Sequence, residues 1–194
     1  MLGYSEAARA TYIREAGIDP LDLPRLPSEG RAKTDLESWL RWRFGGLTVL
    51  MGDVAARFRQ PPLRRGLVAV VLAGAYRGSQ VGRGRAAEDW LTWILDDIID
   101  GVLLEGAWEE GSEDRDYASA LGIIAKTGKE IEIGVMLRAP SKQGDTALQR
   151  QQEIVLAQGR APDYWMIEVN DEAGLQAAKE FLAAQPRGPA PDAP

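Results

Sequence analysis

Four short apolar runs, each followed by a helix-like stretch, constrain the fold of this chain more than any other feature. The runs cover residues 67–75, 98–104, 131–137 and 165–169. Each is rich in Val, Ile or Leu and close to continuous rather than alternating, which predicts strands buried on both faces. Helix-like stretches at 86–95, 113–126, 146–158 and 172–184 lie between and after them. Strand–helix repetition at roughly 30 residues per unit predicts parallel strands joined by right-handed crossovers.

Four such units can form half of a (β/α)8 barrel or a small open sheet. A complete barrel takes about 250 residues, more than the 194 present here. Pattern alone leaves an open doubly wound sheet and a partial barrel evenly balanced. Two helices are expected ahead of the repeats. One spans 5–16, with Ser5 as cap, Glu6 at its positive end and Gly17 as its stop. The other opens at the capping-box pattern Thr34-Asp35-Leu36-Glu37 and ends before Pro61, with Gly45-Gly46 as a weak point inside it. The tail, 186–194, is Pro/Ala-rich and is expected to be disordered, leaving 1–185 as one domain.

Composition removes several kinds of chemistry. There is no cysteine and no histidine, which excludes thiolate nucleophiles, Ser-His-Asp machinery and metal sites built on those ligands. Catalysis would have to rest on carboxylates, Lys, Tyr, Ser or Arg; neither metal nor other cofactor is expected. A formal net charge of −6 argues against a nucleic-acid surface. The longest apolar stretch, 67–75, is too short to span a bilayer. The first residues carry neither a basic lead nor an apolar run, so no signal peptide is expected and a soluble chain is. The missing cysteines suit either an exported or a cytoplasmic protein and leave the compartment open.

The order of particular segments tips the balance towards the barrel. Gly3-Tyr4-Ser5-Glu6-Ala7-Ala8-Arg9 followed by Gly17-Ile18-Asp19-Pro20, then Trp39 with Trp42-Arg43, Asp89-Trp90-x-x-Trp93, and Ile99-Asp100-Gly101-Val102 occur in sequence. Together they resemble the second half of the glycoside-hydrolase-like family 10 proteins, over roughly Gly3 to Leu182. The resemblance implies a partial (β/α)8 TIM barrel of about four C-terminal βα units, acting on the glycosidic bonds of a polysaccharide or oligosaccharide. It also implies that Met1 lies just past the family's fourth strand, whose Asp-Tyr-x-Arg-Tyr-Pro-like motif is not in this chain. Met1 is then expected to be an internal methionine of a longer frame, or the gene to be truncated, with activity reduced or lost. Exposed edges of such a half-barrel would favour a homodimer.

Barrels gather functional residues where strands end. Those ends supply Tyr76, Arg77 and Gln80; Glu105 and Trp108; Arg138; and Glu168 and Asn170. Glycoside hydrolysis uses two carboxyl groups flanking the bond, and Glu105 and Glu168 are the natural pair. The resembled family more often has Pro-Gln-x-Tyr where this chain has Leu104-Glu105-Gly106-Ala107. The plainer expectation for Glu168 is a barrel-mouth ion pair with Arg138, and for Glu105 a solvated or salt-bridged loop position. Tyr76, Trp108 and Arg138 are the candidate substrate-binding residues, and Trp165 and Tyr164 could also stack on sugar rings. Trp39, Trp42, Trp90 and Trp93 are expected to be buried between helix and strand, and Asp100 to be structural at the opposite end. The Gly74-x-x-x-Gly78 and Gly82-Arg83-Gly84-Arg85 segments lack the Gly-x-Gly-x-x-Gly or Lys-Ser/Thr pattern of a phosphate loop. A flexible loop over the mouth is expected there. The rivals to a glycosidase-like fragment are a non-catalytic carbohydrate-binding or remnant barrel half and an unrelated open-sheet domain.

Overall fold

The structure, a computed structural model, describes residues 6–23, 30–73, 89–106, 108, 116–141 and 146–185. Helix α1 covers Glu6–Ala16, and α2 covers Gly30–Arg59. Four strand–helix units follow: β1 Val68–Leu72, α3 Trp90–Leu95, β2 Gly101–Glu105, α4 Asp116–Thr127, β3 Glu132–Arg138, α5 Leu148–Leu156, β4 Tyr164–Glu168 and α6 Glu172–Ala184. The strands form one parallel sheet in the order β1-β2-β3-β4. The architecture is therefore α/β, a four-stranded parallel sheet alternating with helices.

Local chemistry accounts for the helix ends. Gly17 takes φ +70°, a conformation that costs other residues a clash, and its N–H donates to the Ile13 carbonyl at 2.8 Å to close α1. At α6 the Asp171 carboxylate accepts from the Gly174 N–H at 2.7 Å, and Glu172 faces the positive helix end. The capping-box pattern at Thr34 does not start α2. That helix begins at Gly30, one turn earlier, and Asp35 pairs instead with Arg31 across that turn. Nor do Gly45 and Gly46 interrupt it. Leu47 and Met51, on the turns that follow, pack against the core, and Thr48 Oγ1 accepts from Trp93 Nε1 at 2.9 Å. Tertiary contact outweighs the low helix propensity of the two glycines.

Strand register places the core. Ala69, Val102 and Ile133 are in register, as are Val71, Leu104, Val135 and Trp165. These side chains all belong to one apolar cluster with Trp90, Trp93 and Ile94 of α3, Tyr117, Ala120 and Ile124 of α4, Leu148 and Val155 of α5, and Ala178 and Phe181 of α6. All four helices of the repeats thus pack on one sheet face, where a doubly wound arrangement would divide them between two. The intervening residues point the other way. Val68, Val70 and Leu72 of β1 and Met166 of β4 are exposed on that second face, Val70 by 53%. Among the described residues the centre of the sheet is the part covered on both sides: Leu103 of β2 is 2% exposed although it lies outside the helix-side cluster. The expectation of strands buried on both faces thus holds for β2 and not for the edge strands.

The amino end of the sheet is tied by a repeated device. Asp100 donates its N–H to the Leu67 carbonyl and accepts the Leu67 N–H on its carboxylate, both at 2.8 Å. Asp163 treats Ile133 the same way, at 2.7 and 2.8 Å. Arg59 at the end of α2 donates to both Asp100 oxygens and to the Asp97 and Ile98 carbonyls. Asp100 is a structural clasp at the end opposite the candidate site.

Trp39, Trp90 and Trp93 are buried, whereas Trp42 is half-buried. Trp39 and Trp42 stack with centroids 5.3 Å apart and meet Tyr12 edge-on. This pair therefore joins α2 to α1 rather than to a strand. Among the described residues no helix is long and apolar enough to cross a membrane.

Candidate functional site

Three consecutive strands end in charged side chains that meet. Glu105 closes β2, Arg138 closes β3 and Glu168 closes β4, with Arg138 and Glu168 in register. All three stand on the second face, opposite the helices of the repeats. Arg138 Nη2 donates to Glu105 Oε1 at 3.0 Å, and Arg138 Nε donates to Glu168 Oε2 at 2.9 Å. One guanidinium thus bridges the two carboxylates at the carboxyl end of the sheet, and the ion pair between Glu168 and Arg138 anticipated from the sequence is present.

Electrostatics follow from that contact. The Arg138 hydrogen bond holds the Glu168 carboxyl below the usual glutamate range, against the opposing effect of desolvation; the charge of Arg138 and a hydrogen bond from Asn170 add to the lowering. Arg138 is raised in turn, chiefly by its hydrogen bond to Glu168, with Glu105 contributing less. The guanidinium remains accessible, its side chain 61% exposed. Glu168 is consequently a carboxylate at neutral pH, able to accept hydrogen bonds but not to donate a proton.

The backbone that presents Arg138 is completed by side chains. The β2–β3 pairing ends at Leu104 and Val135, leaving the Met136 carbonyl and both backbone groups of Arg138 beyond the paired part of β2. Trp108 Nε1 donates to the Met136 carbonyl at 2.7 Å. Gln151 of α5 accepts the Arg138 N–H on Oε1 at 2.9 Å and donates from Nε2 to the Arg138 and Thr146 carbonyls, each at 2.7 Å. On the other edge of β3, Ala139 N–H donates to the Glu168 carbonyl at 2.9 Å. Buried peptide groups need partners, and here an indole and an amide replace the missing neighbour strand.

The remaining sequence candidates fall in different places. Tyr76, Arg77, Gln80 and the glycine-rich segments around them lie outside the described residues. Trp108 is 3% exposed, packed against the helix-side core and edge-on to Tyr117 at 6.4 Å. Its indole is committed to β3 and offers no open face to a sugar ring, contrary to the stacking role expected of it. Trp165 packs against the helix-side core. Tyr164 lies across Gly134, where a Cβ would collide with its ring, at the start of β4, while Glu168 stands at the end of that strand. Gln151, 6% exposed, was not anticipated. Its signal was available: it shares the buried stripe of α5 with Leu148 and Val155, a polar residue at a core-facing position.

Among the described residues, no group of three or more acidic side chains is arranged to hold a metal ion. No family model, curated protein or solved structure matches this chain.

Proposed function

We propose that the chain is a set of consecutive units of a glycoside-hydrolase-like (β/α)8 barrel, and that Glu105, Arg138 and Glu168 form a saccharide-binding site at its mouth. The observation that carries this reading is the convergence of two carboxylates on one exposed guanidinium at the carboxyl ends of three adjacent parallel strands, where such folds gather their ligand contacts. Carboxylates accept hydrogen bonds from sugar hydroxyls, and a guanidinium donates to hydroxyl and ring oxygens in a fixed planar fork. Apolar Leu72 and Met166 on the same face suit the C–H faces of a sugar.

Binding of a polysaccharide or oligosaccharide is favoured over its hydrolysis. Hydrolysis requires one carboxyl group to be protonated for donation to the leaving oxygen. Arg138 favours the ionised form of Glu168, which accepts hydrogen bonds rather than donating a proton, and it donates to Glu105 as well. The test is titration with cell-wall and other glycan fragments alongside a hydrolysis assay. Saturable binding weakened at least tenfold by Arg138→Met, without product release, is expected. Product release abolished by Glu105→Gln would restore the enzymatic reading. No binding by any fragment to the folded chain would remove the proposal.

A further inference from the structure

We propose that Gln151 is the positioning residue of this site, setting the aim of the Arg138 guanidinium by holding both backbone groups of that residue. The inference rests on the saccharide-site reading for its functional meaning, but its geometry stands by itself. In a parallel ladder, Arg138 would direct its N–H and C=O to β2, and β2 has already ended. On that edge the backbone of Arg138 would have no strand partner, leaving the strand end, and the long side chain it carries, held from the β4 side. Gln151 completes that edge with one acceptor for the N–H and one donor for the C=O of the same residue, on the two peptide units that flank its Cα, at 2.9 and 2.7 Å, from a helix rather than a strand.

The chemistry selects glutamine. Glutamate has no donor when ionised, and lysine has no acceptor; only an amide on a two-carbon stem completes both bonds. The second donor hydrogen goes to the Thr146 carbonyl at 2.7 Å, which fixes the amide plane by tying it to the start of α5. Because Gln151 is buried while the Arg138 side chain is exposed, the rigid end of this chain of contacts is the glutamine. Through Arg138 it governs Glu105 and Glu168 together, without touching either carboxylate.

The test reads the free protein and needs no glycan. The side-chain carboxyl carbon of Glu168 is titrated by NMR in the wild type, in Arg138→Met and in Gln151→Met, which removes all three hydrogen bonds at similar volume. The Glu168 titration in Gln151→Met is expected to shift upward at least halfway to its position in Arg138→Met, with the far-UV circular dichroism retained. A Gln151→Met protein that melts earlier but titrates as wild type would make Gln151 a simple structural tie and overturn the proposal. If Gln151→Met does not fold, Gln151→Asn keeps the amide one methylene short and is read by the same criterion: a shifted titration supports the proposal, an unshifted one overturns it. Failure of glycan binding would remove the proposed function and leave this result standing.

Discussion

Arg138 is the residue on which the charged cluster depends. Substituting Arg138→Met removes the hydrogen bond that lowers Glu168, so its titration should rise to the ordinary glutamate range, as carboxyl NMR would show. The sign of the linked stability follows. Glu168 has a depressed folded-state value, so its contribution is present above the unfolded value and is lost as pH falls through the folded one. Acid unfolding curves of wild type and Arg138→Met should therefore converge at low pH and separate towards neutrality. The separation should be small, below about 1 kcal/mol, because exposed ion pairs are screened; a large, pH-independent difference would mean that Arg138 acts through packing instead. These residues were legible in the sequence because each terminates an apolar run, and a charged residue at such a point must leave the core. Trp108 was misplaced by the same logic. A large aromatic side chain past a strand end can fold back as easily as face outward, and the unfilled Met136 carbonyl that draws it inward is a property of where β2 stops.

At the scale of elements, the sheet is held by close approach between strands. A Cβ on Gly101 would stand 2.9 Å from the Glu132 carbonyl oxygen and 3.1 Å from its Cβ. Backbone cannot yield as a side chain can, so Gly101→Ala should destabilise the protein by about 1–3 kcal/mol in a denaturant titration. An unchanged midpoint would place β2 and β3 farther apart than described. Strand identity was readable throughout from Val, Ile and Leu content, and α6 occupies the residues expected of it, 172–184. The α2 start was not readable, because the capping-box pattern at Thr34 also fits an ordinary helix interior and the preceding turn carries no distinct signal. The clasp at Asp163 was hidden, because an aspartate ahead of a strand reads as a turn residue until its partner is known; Asp100 was expected to be structural, but its partners Leu67 and Arg59 were not foreseen.

For the whole molecule, the sheet face opposite the helices of the repeats is the feature that sequence pattern could not assign. A continuous apolar strand looks the same whether its second face meets helices, another sheet or solvent, so the runs at 67–75 and 165–169 gave no hint that Val70 and Met166 would be exposed. In the proposed barrel those positions would line a filled interior. Among the described residues neither β1 nor β4 has a strand partner on its outer edge. Unpaired edges template further pairing, and on the barrel reading we expect the isolated chain to self-associate. Light scattering across a dilution series should give a mass above the 21.2 kDa of one chain, and a stable dilute monomer would count against it. The central claim is that sugars are bound where β2, β3 and β4 end. Its most direct test is to follow the Arg138 Nε–H resonance by NMR while glycan fragments are added. A saturable shift of that signal, absent with Gln151→Met at equal glycan, is the predicted result; glycan-induced shifts confined to residues remote from Glu105, Arg138 and Glu168 would contradict it.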